Sequence, residues 1–375
     1  MEKINVPTLR FPGFDDPWVE QTIGSVAEII MGQSPLGDSY NTTGAGVPLI
    51  NGPVEFGEVN PVKIKWTTKA TKFCENKDIL FCVRGSTTGK MNIANDRYCI
   101  GRGIAAIRAK EKFNTEFIYQ GIASNLETLL NLTTGSTFFN LDRSSISSFS
   151  FSTPNLDEQN IIAEFVANVD YKLIQLKKKK SLLEQYKKGM MQKIFNQEIR
   201  FKDDDGKEFG EWEGKTIGDI VIIKYGKDQK QVISENGIYP ILGTGGEMGR
   251  TNEFLCDKPS VLIGGKGTID KPMYLETPFW TVDTLFYTEI KNGNFPKWVF
   301  YLFQTINWYL YNEASGVPSL SGSTINKIPA TVPGLKEQIK ISNFLSAIDD
   351  KINLVAVQIE KIEKFKKGLL GEMFV

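Results

Sequence analysis

Histidine is absent from all 375 residues. That absence excludes Ser-His-Asp and Cys-His triads, HExxH metal sites and most zinc ligation. The four cysteines, Cys74, Cys82, Cys99 and Cys256, form no CxxC pair. Isolated reduced thiols are therefore expected, with a cytoplasmic location. No run of about 18 apolar residues occurs, so no membrane-crossing helix is expected. The opening MEKINVPTLRF lacks the basic-then-apolar layout of a signal peptide. There is no Pro-Pro dipeptide, which removes the [DNS]PP[YFW] motif that holds a flipped adenine amine for methylation. Charge is balanced, with 44 Lys and Arg against 44 Asp and Glu. A protein that coats polyanions indiscriminately is thereby disfavoured, while local basic patches stay open.

What is present is a repeat. PNLDEQNIIAEFV (154–166) returns as PGLKEQIKISNFL (333–345), with Pro154/Pro333, Glu158/Glu337, Gln159/Gln338, Ile162/Ile341 and Phe165/Phe344 all 179 positions apart. The echo continues to Lys187-Lys188-Gly189 and Lys366-Lys367-Gly368 without a gap. Apolar residues spaced by three and four line one stripe of each segment: Ile162, Phe165, Val169, Leu173, Leu176, Leu183, Tyr186, Met190 and Ile194 in the first. In the second they are Ile341, Phe344, Ile348, Ile352, Val355, Ile362, Phe365, Leu369 and Met373. Two helices of about 40 residues are expected, each about 60 Å long.

The echo also runs upstream. Leu9-Arg10-Phe11 and Trp18 match Ile199-Arg200-Phe201 and Trp212, and Thr22-Ile23-Gly24 matches Thr216-Ile217-Gly218. Gly32 matches Gly226, and DILFCVRGSTTGK (78–90) resembles PSVLIGGKGTIDK (259–271). FIYQGIASNLETLLNLTTG (117–135) aligns with WVFYLFQTINWYLYNEASG (298–316). The chain therefore reads as a globular domain at 1–153, a helical spacer at 154–195, a second globular domain at 196–332 and a second spacer at 333–375. Short β-rich runs with Gly, Asn and Ser turns make each globular domain mixed α/β, an α+β class, with one amphipathic helix at 115–131 and 296–312.

A single-striped helix cannot stand alone in water, so the two stripes are expected to pack as an antiparallel coiled coil with pseudo-two-fold symmetry. The packing positions are Ile162, Phe165, Val169, Leu173, Leu176 and Leu183, with Ile341, Phe344, Ile348, Ile352, Val355 and Ile362. Two diverged heads on one rod suit an extended bipartite ligand.

This layout resembles the specificity subunit of type I restriction–modification systems over essentially the whole chain. The resemblance rests on P-x-L-x-E-Q-x-x-I-x-x-F, on K-K-G-[ML]-[ML] near each helix end, and on L-R-F…W-x-x-x-T-I-G at the start of each domain. It implies two target recognition domains, each reading half of a split double-stranded DNA sequence. The helices would set the gap and dock two modification (methyltransferase) subunits, with restriction (translocase and nuclease) subunits joining the complex. It implies no catalytic residue, metal or cofactor in this chain.

The residues agree with a reader better than with an enzyme. Gly85 to Met91 falls one residue short of a P-loop and lacks its Mg²⁺ hydroxyl. Asp283 with Glu289-Ile290-Lys291 imitates a nuclease, but TVDTLFYTEIK alternates like a solvated strand edge. GTGGEMG (243–249) reads as a turn. Basic residues gather with hydroxyls at turns: Arg84, Ser86, Thr87, Thr88 and Lys90; Arg97 and Arg102; Lys224, Tyr225, Lys227 and Lys230; Lys266, Thr268 and Lys271. These are the candidate DNA contacts. The run Lys177 to Lys180 reads as a solvated helix face. A coiled-coil scaffold whose two heads grip other proteins is the alternative that residues alone leave open.

Overall fold

The computed structural model describes residues 6–131 and 140–374; the last four positions of the 117–135 match lie outside them. The chain divides into two compact units, one of residues 1–178 with 356–375 and one of residues 179–355.

In the first unit a four-stranded sheet runs in the order Ala27–Met31, Ile104–Ala109, Ile79–Cys82, Met91–Ile93. The central strand sets Ile107 opposite both Ile29 and Ile79. Strand side chains alternate between faces. Ile79, Phe81 and Ile107 enter a core with Phe117, Ile118 and Ile122, while Leu80, Cys82 and Ile104 enter another with Ile50, Tyr98 and Ile100. Burial on both faces explains why DILFCV is an unbroken apolar run.

The second unit repeats the topology with Val221–Lys224, Leu285–Ile290, Ser260–Gly264 and Met273–Leu275. Here Leu285–Ile290 is a central strand, and Leu285 through Thr288 are buried. This corrects the expectation of a solvated edge. The polar Thr288 that suggested solvent is satisfied inside, its hydroxyl accepting from the Val261 amide at 3.0 Å. GTGGEMG is the expected turn, joining the paired strands Tyr239–Gly243 and Gly246–Thr251, with Gly246 at φ +114°.

The long helices span Leu156–Phe195 and Leu335–Met373. Within the first unit Ile162 and Val166 share a core with Leu369 and Met373, and the ion pairs Asp170–Lys366 (2.6 Å) and Lys177–Glu363 (2.8 Å) run antiparallel. Within the second unit Met191 and Ile194 share a core with Ile341, Leu345 and Ile348, and Lys187 pairs with Asp349 at 2.7 Å. Among the expected packing residues, Ile162, Leu173, Leu176, Ile341, Ile348 and Val355 are buried. Phe165, Val169, Leu183, Phe344, Ile352 and Ile362 are half-buried. Tyr186 and Phe365 leave the stripe, at 51% and 53% exposure. Lys180 of the lysine run meets Glu184 on its own helix.

The amphipathic helices are shorter than their apolar pattern. The first ends at Ser124 and a second piece, Leu126–Asn131, follows. The Asn125 amide donates to the Gly121 carbonyl at 3.0 Å, so the side chain satisfies an end-of-helix acceptor. The other helix stops at Thr305, and a short 3₁₀ turn, Trp308–Tyr311, carries the rest of the pattern.

Candidate nucleic-acid interface

The repeated helix start is a clamp. Glu158 has a fully buried side chain, and its carboxylate accepts from Arg10 Nε at 2.7 Å and Nη2 at 2.8 Å. Glu337 accepts from Arg200 Nη2 at 2.8 Å and Nε at 3.3 Å, and also from the Trp212 indole at 3.1 Å. Beside each glutamate a buried glutamine reaches the other way. Gln159 Oε1 accepts from the Asn114 amide at 2.9 Å and Gln338 Oε1 from the Phe295 amide at 2.7 Å. Their Nε2 groups donate to the carbonyls of Pro154 and Pro333. The Glu-Gln pair thus ties the domain's first strap and the start of its amphipathic helix to the long helix. Both links are charge-assisted or buried, hence stiff.

On that frame a second shared arrangement carries the exposed charge. The Val83 amide donates to the Gly103 carbonyl at 2.9 Å, as Gly265 does to Thr284 at 2.8 Å. Leu141 donates to Val83 and Leu320 to Gly265, and the bridges Arg84–Asn140 and Lys266–Ser319 follow. Gln33 donates to Ile100, as Lys227 does to Thr281. Arg84 therefore occupies the place of Lys266, and Arg102 that of Asp283. The repeated glycine is a close-approach residue. A Cβ on Gly32 would lie 2.2 Å from the Gly101 carbonyl, and one on Gly226 2.0 Å from that of Val282. A Cβ on Gly101 would lie 1.9 Å from Asn51 Oδ1, which explains why a glycine precedes Arg102.

In the first unit Arg84 and Arg102 line one cavity of about 660 Å³ with Ser34, Tyr40, Asn51 and Gly103. The Arg102 amide donates to Ser34 Oγ at 3.1 Å, pinning the turn. Neither guanidinium has an ion-pair or hydrogen-bond partner among the described residues. Arg10, Arg97, Arg108, Arg200 and Arg250, by contrast, all meet carboxylates. In the second unit Lys227, Lys266 and Asp283 are exposed, and their side chains are likewise unpartnered among the described residues.

The remaining candidates divide. Arg97 is held by Glu75 at 3.2 Å and lies 4.0 Å over the Phe73 ring, and Lys224 is held by Glu289 at 3.3 Å. Arg97 is not among the residues that line the cavity with Arg84 and Arg102. Ser86 and Thr87 lie in a 3₁₀ turn, Gly85–Thr87, and the Thr88 hydroxyl donates to Gly85 O. Lys90 lines a different groove, with Asn92 and Asp170. Tyr225 is 59% exposed, its ring edge-on to Phe286 at 4.8 Å, beside Lys227. Lys230 is near Asp228, while Thr268 and Lys271 lie beyond Lys266 on the same turn. Sequence reasoning missed Asn51 and Tyr40, and it weighed Asp283 only as a nuclease acid. The nuclease pattern is dispersed, since Glu289 goes to Lys224 and the Lys291 ammonium to the Gly218 carbonyl.

A family model described as the type I restriction modification DNA specificity domain matches residues 15–185 and 210–364. The putative type I restriction enzyme MjaX specificity subunit of Methanocaldococcus jannaschii is 37% identical over 177 residues, 47% of this chain and 41% of that protein. The chain thus spans under half the length of that relative. The MjaVIII specificity subunit of the same organism is 23% identical, over 97% of this chain and 92% of that one. The crystal structure of a type I restriction-modification S subunit from M. genitalium superposes with TM-score 0.69 at 20% identity, covering 98% of this chain and 99% of that one. With both repeats matched, the chain belongs to the type I restriction modification DNA specificity domain family.

Proposed function

We propose that this chain is the non-catalytic DNA-reading subunit of a type I restriction–modification complex. Residues 1–153 read one half of a split duplex target and residues 196–332 the other. One observation carries the reading: the same backbone frame, built twice, presents unpaired charge at Arg84 and Arg102 and again at Lys227, Lys266 and Asp283. Leaving a charge without an internal partner costs little only in water, and such side chains are free to meet phosphates or base edges. Net charge is zero, so partner subunits supply much of the phosphate neutralisation. The long helices dock two modification subunits and set the gap. Restriction subunits join through that complex, which works in the cytoplasm.

The test is co-expression with a modification subunit from the same genome, with adenine methylation mapped by single-molecule sequencing. The expected result is two short defined blocks around a fixed unspecified gap. A complex that forms and leaves no split motif refutes the reading. Inserting four residues into each long helix adds about 6 Å, near two base pairs, and an unchanged gap would refute the ruler.

A further inference from the structure

We infer that Arg102 and Asp283 read bases at one shared frame position, Arg102 taking a guanine in the first half-site and Asp283 a cytosine in the second. The inference rests on the DNA-reading proposal and adds the residues and the base pair. Arg102 and Asp283 are equivalents by hydrogen bonding, each preceding the carbonyl (Gly103 or Thr284) that receives the Val83 or Gly265 amide. The backbone is kept and the side chain's charge is reversed. A position that served only phosphate attraction would stay cationic, because a carboxylate facing a duplex is repelled. Asp283 stands within two residues of Thr281 and Thr284, whose carbonyls receive the backbones of Lys227 and Lys266, yet neither lysine neutralises it among the described residues. An unpaired carboxylate between two cationic residues fits one nucleic-acid partner well: the N4 amine of cytosine. Arginine at the same place matches the O6 and N7 acceptors of guanine. Asn51 and Arg84 line the same cavity as Arg102 and so border the base it takes. The two halves then present one G·C pair with its strands exchanged, which is how one frame can read two different sequences.

The test uses the full chain in complex with its modification subunit. Once the wild-type motif is known, Arg102→Ala and Asp283→Ala are compared on duplexes substituted at each defined position. Arg102→Ala should lower discrimination about 5- to 140-fold at a single base pair of one half. It should also become indifferent to 7-deazaguanine there, which lacks the N7 acceptor. Asp283→Ala should do the same at one pair of the other half. Wild-type discrimination in both variants overturns the inference while leaving half-site reading standing. That reading fails separately, if the wild-type complex has no split motif. Should a variant methylate nothing, duplex binding by fluorescence anisotropy decides. Loss confined to one base pair supports the assignment, and a uniform loss across sequences overturns it.

Discussion

The two clamps differ in an indole hydrogen bond to the glutamate, and that difference predicts a crossover. In the second unit Glu337 is shared by Arg200 and the Trp212 indole; in the first, among the described residues, the Glu158 carboxylate has Arg10 alone and the buried Trp18 indole nitrogen has no partner. Removing one member of a buried ion pair costs about 3–5 kcal/mol, because the other is left uncompensated. Arg10 and Arg200 are 12% and 24% exposed, so water reaches them once the acid is gone and the lower end applies. Glu158→Ala should then cost about 3 kcal/mol. Glu337→Ala should cost about 4 kcal/mol, because it also orphans the Trp212 N–H. Removing the arginine reverses the order. Arg10→Ala leaves a fully buried carboxylate with no side-chain donor, whereas after Arg200→Ala the indole still serves Glu337. Arg10→Ala should therefore be the worse of the two by about 1 kcal/mol.

Hydrogen exchange read by mass spectrometry on peptides 154–166 and 333–345 measures each clamp in its own unit, which global unfolding of a two-unit chain does not. The reasoning fails if both the acid and the arginine variants are worse in the same unit. Trp212→Phe provides the control. It should remove about 1–2 kcal/mol from the second clamp, while Trp18→Phe, with no bond to lose, should cost less.

Three further outcomes follow from single contacts. All four cysteines are buried, and burial pushes the Cys74 and Cys82 thiols up to about 12, so Ellman's reagent at neutral pH should release no thiolate until the chain is unfolded; a fast native reaction would contradict this. The Thr216 amide and hydroxyl hold the Asp219 carboxylate below its usual range, so its stabilisation is present above the unfolded carboxyl pKa and lost as pH falls through the depressed one. Asp219→Asn should accordingly flatten the acid limb of stability below about pH 5, and an unchanged limb would exclude the cap. Tyr301 donates to Asp349 at 2.7 Å beneath the Lys187 ammonium, and Tyr301→Phe should cost about 1.5 kcal/mol in hydrogen exchange read on peptides of the second unit; no cost would show that the hydroxyl is equally well hydrated outside.

The long helices were legible because a 179-residue echo fixed both boundaries at once, and Leu156–Phe195 and Leu335–Met373 fall within two residues of the expected limits. The stripe itself was only partly right. Tyr186 and Phe365 are exposed although Ile194 and Met373, further along the same stripes, are buried, while Val166 and Leu345, outside the chosen stripe, are fully buried. The Glu-Gln motif was visible as a helix start but not as a clamp. Its partners Arg10 and Arg200 lie 148 and 137 residues away. The signal was there nonetheless, since Arg10-Phe11 and Glu158-Gln159 return unchanged as Arg200-Phe201 and Glu337-Gln338. Arg97 and Lys224 looked equal to Arg84 and Lys266 because composition cannot show that Glu75 and Glu289 neutralise them across strands.

The two copies divide their residues by task. Kept are those whose partners are internal: Arg10 and Arg200, Glu158 and Glu337, Gln159 and Gln338, Gly32 and Gly226. Each is fixed by a contact whose loss leaves a buried charge or polar group without its partner, or drives a Cβ into a carbonyl. Changed are those whose side chains have no partner among the described residues: Arg84 against Lys266, and Arg102 against Asp283. Folding places no demand on them beyond the backbone, so they are free to follow a ligand. Drift alone would scatter polar residues here without regard to charge. Yet both copies keep a cation at the Arg84 place while reversing charge at the Arg102 place. The first suits a phosphate or any purine edge, the second a particular base. On the proposed reading, one half of the target would change with a single substitution on a frame that does not move, and Asp283→Arg in the full complex is the substitution that would show it.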